Sequence, residues 1–142
     1  MSLIATLAAI ATIGLSGVPF GEVLGVDEAM KLPPSSVKST ILVRGRLSSG
    51  APHGFIFRPV LCARPCLGFP AGIDFPNGQW NDPSMAAMLR ALGERHQAGR
   101  DLEITLEVRP TYGRRDGVMT EDGLLWVRSF EVVRIVDFDR EP

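Results

Sequence analysis

Leu102-Glu103-Ile104-Thr105-Leu106-Glu107-Val108-Arg109 is the stretch on which the fold turns. In an extended chain Leu102, Ile104, Leu106 and Val108 share one face, while Asp101, Glu103, Thr105, Glu107 and Arg109 share the other. A period of two sustained over this length predicts a half-buried strand. A lone strand cannot hide its apolar face, so the flanking sequence must supply partners.

Immediately upstream the period changes to that of a helix. Asp82 is a good N-cap and Pro83 suits the first helical position. Met85, Met88, Leu89 and Leu92 follow at i, i+3, i+4 and i+7, one apolar stripe, with Arg90, Glu94, Arg95 and Gln97 left for water. Gly99 is placed to end the helix. The methionines therefore read as core contacts.

Three further strands are expected before that helix. Ser39 to Leu47 points Ile41, Val43 and Leu47 one way and Arg44 and Arg46 the other. Gly45 falls on the inward side, which suits a sharply coiled barrel strand. Gly54 to Leu61 reads as the second strand, with Pro59 marking a bulge or an edge. Leu67 to Phe75 is a weaker, glycine-interrupted third. Before them, Asp27 is expected to cap a short helix through Glu28-Ala29-Met30-Lys31, ended by Pro33-Pro34. After Arg109, Pro110 to Gly123 reads as a long hairpin tip. Leu124 to Phe138 forms the last strand, with a slip in alternation near Ser129 to Glu131 that signals a bulge or bend.

The resulting fold class is mainly β: a five-stranded barrel with one α-helix between strands three and four. Over Gly21 to Phe138 this order resembles the OB fold, a Greek-key barrel. It is similar to small exported bacterial OB-fold proteins, which also carry a leader, an entry segment ending in proline and a first strand with V-R-G-R-L, here Val43 to Leu47. The resemblance implies a fold and a binding edge, and no catalytic residue. That edge comprises strands two and three with the loops joining strands one–two and four–five.

The chain has 142 residues with 16 acidic and 15 basic side chains, a net charge of -1, and every charge lies after Gly21. Such balance lacks the broad basic footprint of a strong nucleic-acid binder. Residues 1–20 hold an uncharged apolar run from Leu3 to Leu15, the length of a signal-peptide core and shorter than a comfortable membrane span. They are expected to be a signal peptide or membrane anchor, with residues 21–142 forming the OB-type domain. Its expected location is periplasmic or secreted, or anchored outside the cytoplasm, touching membrane only through the leader.

Cys62 and Cys66 are the only cysteines. In an exported protein the CxxxC pair suggests a disulfide closing a tight loop, helped by Pro65. The other readings are two reduced thiols or half of a metal site. The latter lacks two ligands, because His53 and His96 do not have zinc-finger spacing. No metal and no cofactor is expected.

The candidate binding residues are Arg58, beside the second strand, and Arg109, Tyr112, Arg114 and Arg115 around the four–five hairpin. Arginine beside an aromatic ring can hold a phosphate and stack a base. Asp116, Glu121 and Asp122 share that hairpin and dilute its charge. They also support a metal-dependent hydrolase only weakly, since their spacing is no recognised calcium loop. No Ser-His-Asp motif, phosphate loop or HExxH occurs, so the chain is read as no enzyme. The favoured reading is a non-catalytic exported module binding a protein partner or small ligand, with single-stranded nucleic acid as the alternative.

Overall fold

A computed structural model of the chain describes residues 21–37, 39–49, 54–61, 71–114, 118–123 and 125–140. The leader, Cys62 and Cys66, His53, Arg115 and Asp116 lie outside the described residues.

The strands are β1 (Val23–Gly25), β2 (Ile41–Ser49), β3 (Phe55–Arg58), β4 (Ala71–Asp74), β5 (Leu102–Gly113), β6 (Val118–Met119) and β7 (Trp126–Phe138). The α-helices are α1 (Val26–Met30) and α2 (Pro83–Gln97). Antiparallel pairs join β2 to β3 and β3 to β4; β4 then runs parallel to β7. Antiparallel β7–β5 and β5–β2 pairs close a mixed five-stranded barrel, with α2 between its third and fourth strands. This architecture is compatible with an OB-like fold.

The alternation read from residues 102–108 sets the interior. Leu102, Ile104, Leu106 and Val108 are fully buried and face Leu47, Gly45, Val43 and Ile41 across the β5–β2 ladder. Phe57 and Phe130 meet edge to face with centroids 6.5 Å apart. The α2 stripe of Met85, Met88 and Leu92 is buried against the barrel. Asp82 caps α2 by accepting from the Ser84 N–H, and Gly99 at φ +71° follows its end. The Arg100 N–H bonds Arg95 O and the Gly99 N–H bonds His96 O, a Schellman pattern that satisfies two terminal carbonyls.

Gly45 is inward, as its position in the alternation requires. A Cβ there would stand 2.6 Å from Val26 Cγ2 and 2.7 Å from both Arg58 O and Phe57 Cε1. Only glycine lets β2, β3 and α1 approach this closely.

Several boundaries differ from the sequence reading, each for a physical reason. Asp27 does not cap the first helix: α1 starts two residues earlier, at Val26 after Gly25, and has no side-chain cap. Arg95 does not face water. It is 4% exposed, extending the α2 stripe, and its guanidinium donates to Asp139 O at 3.0 Å. Pro110 to Gly113 belong to β5 and not to a loop, because β7 is long enough to pair with them. Pro110, which has no N–H to place, is buried opposite Phe130. The slip expected near Ser129 is a register shift between Thr111 and Tyr112, which leaves Arg128 as the extra residue on β7. Two further shifts fall nearer the end of β7.

Candidate functional site

One edge of β2 is shared by two partners in tandem. Leu42, Val43 and Arg44 pair with β1 in parallel, and Arg46 to Ser49 pair with β3 antiparallel. The two partners then diverge. β1 turns into α1 at Gly25–Val26, and β3 stops at Arg58 because Pro59 cannot donate to a ladder. Arg46 Nε donates to Pro59 O at 3.1 Å and fixes the point of departure. Between the diverging chains lies an open groove of about 440 Å³, lined by Val23 to Glu28 on one side and Pro59 to Leu61 on the other, with Arg44 between.

The groove is mainly apolar. Leu61 is 91% exposed and Val23 49% exposed, two large apolar side chains at its rim without cover from the described residues. Arg44 is already engaged: it donates to Thr105 Oγ1 at 2.9 Å and lies 3.5 Å from Glu103. The exposed carboxylates are Asp27 and Glu28. Glu28 folds back over the first turn, so a Cβ at Gly25 would meet its Oε1 at 3.4 Å.

Elsewhere the outward face alternates in sign. Arg109 pairs with Glu131 at 3.0 Å, and Arg134 with Glu107 at 3.1 Å. Glu107 also accepts from Thr40 Oγ1 at 2.8 Å. Exposed pairs of this kind add little stability, about 0–1 kcal/mol each, but they leave less free positive charge for phosphate.

Of the residues proposed from sequence, the described ones divide between β3, which carries Arg58, and β5 with its end, which carries Arg109, Tyr112 and Arg114. Arg58 is half-buried on β3 opposite Arg46, at the seam beside the groove. Arg109 is held in its ion pair on β5. Arg114 is exposed just after β5. Tyr112 is no free stacking platform: its ring packs against the core and its hydroxyl donates to Leu32 O at 2.9 Å. Burial pushes the Tyr112 phenol up to about 12, with the Asp122 charge adding to the effect. Glu121 N–H bonds Lys31 O at 2.9 Å, so the hairpin is fastened to the entry segment at two points. Glu121 and Asp122 occupy the exposed turn there, with Asp122 accepting from the Thr120 hydroxyl.

The groove residues were missed because a three-residue strand ending in glycine has no readable period. The usable signals were Pro59 inside an apolar run and the apolar Val60-Leu61 following it. Among the described residues no helix is long and apolar enough to cross a membrane. Compared with known proteins, the chain matches no family model, and neither a curated protein nor a solved structure matches it.

Proposed function

We propose that this chain is a non-catalytic binding module of OB-like architecture, working outside the cytoplasm behind its leader, and that it binds a protein partner or small ligand. The observation that carries the reading is the open apolar groove between β1–α1 and the end of β3. Its volume lies within the range of ligand sites, roughly 300–1,000 Å³, and it is made by backbone pairing on a rigid barrel. The neutralised outward arginines and the fastened Tyr112 favour this over a phosphate-reading surface.

A neutral hydrophobic dye such as Nile red tests it. Its fluorescence should rise on binding the full chain, and Leu61→Ser with Val23→Ser should abolish the rise while the circular dichroism spectrum is kept. A dye signal indifferent to both substitutions removes the groove from consideration. Titration with a labelled single-stranded oligonucleotide gives the other arm. Tight binding that falls steeply with salt and with Arg114→Ala/Arg115→Ala would replace this reading with a nucleic-acid one. Cell fractionation with intact-mass measurement tests export, since it reports leader removal and whether Cys62 and Cys66 have lost their thiol hydrogens.

A further inference from the structure

We infer that the occupant of the groove is an extended peptide segment of a partner protein, with an apolar side chain seated between Val23 and Leu61 and a lysine or arginine beside it facing Asp27 and Glu28. This rests on the groove reading above and names its partner class.

Three observations select a peptide of that chemistry. The groove is an open trough, suited to a chain that passes through it. One wall is β1, which is paired to β2 along one edge and, among the described residues, has no strand on its other edge. Extended peptides bind such edges through main-chain hydrogen bonds and use pockets for alternate side chains. Finally, the exposed charge on the β1–α1 wall of the groove is acidic. Arg44 is occupied by Thr105 and Glu103, while Asp27 and Glu28 are exposed at the groove wall. A basic side chain there gains attraction, and an acidic one is repelled.

Fluorescence anisotropy on the full chain tests this with two labelled peptides, KVLVK and EVLVE. KVLVK should bind more tightly than EVLVE. Asp27→Asn with Glu28→Gln should weaken KVLVK about fivefold, as expected for losing two rim charges, and should erase the preference. Leu61→Ser should weaken both peptides. Added salt should narrow the difference between them. Equal binding of the two peptides, or a preference that survives loss of both carboxylates, overturns the inference. If neither peptide binds while the dye still reports a groove sensitive to Leu61, the peptide occupant is wrong and the groove stands. If the dye also ignores Leu61, the groove reading falls with it.

Discussion

Gly45 and Tyr112 show how single side chains hold this molecule together. At Gly45 the obstacle to any larger residue includes a backbone carbonyl, which cannot rotate away. Gly45→Ala should therefore destabilise the fold by about 1–3 kcal/mol, the usual range for overpacking. A urea midpoint unchanged from the parent would show that the strands separate more easily than described. Tyr112 is the chain's only tyrosine, so its phenolate absorbance reports one group. Because its folded value is raised, the neutral phenol is the form the fold prefers. Its contribution is complete below pH 10, its ordinary value, and is lost as pH rises through about 12. A spectrophotometric titration with a midpoint near 10 in the folded protein would contradict the described burial. The inward glycine was legible because alternation fixes its side. Arg95 was not, because a long basic side chain on a helix gives no sign in sequence that a carbonyl such as Asp139 O waits for it.

Helix α2 was the clearest element to read, since cap, stripe and terminator agree. The Ser84 N–H bonded to Asp82, with the Ser84 hydroxyl second, holds the Asp82 carboxyl below the usual aspartate value. A lowered carboxylate contributes stability above its unfolded value and loses it as pH falls through the folded one. Asp82→Ala should lower the melting temperature at neutral pH, and the difference from the parent should shrink on acidification. A difference independent of pH would mean that the carboxylate is not the cap. Strand β5 was half legible. Its alternating stretch was plain, but Pro110 reads as a stop, and only pairing with the distant β7 carries the strand on to Gly113. β1 was illegible for the same reason: three residues acquire strand conformation because β2 offers an edge. The groove, which depends on β1, was therefore hidden as well.

At the scale of the whole molecule, one cluster of buried side chains runs from α1 through the barrel to α2. A single shared core predicts one cooperative transition, with tryptophan fluorescence and far-ultraviolet circular dichroism coinciding in denaturant. Separate midpoints would mean that α1 or α2 melts on its own. Leu106, central in that core, should cost about 2–5 kcal/mol when replaced by alanine, with the transition still single. A loss well below that range would show that the strand face read first is not the heart of the interior.

The shared edge of β2 also has a positional consequence. Val23 is three residues beyond residue 20, and an extended residue spans at most about 3.6 Å, so whatever immobilises residue 20 keeps the groove's near lip within about 11 Å. With residue 20 held, the domain could swivel but not stray. An anchor at residue 20 would hold the trough beside it, whereas a chain cut there would carry the trough at its new end.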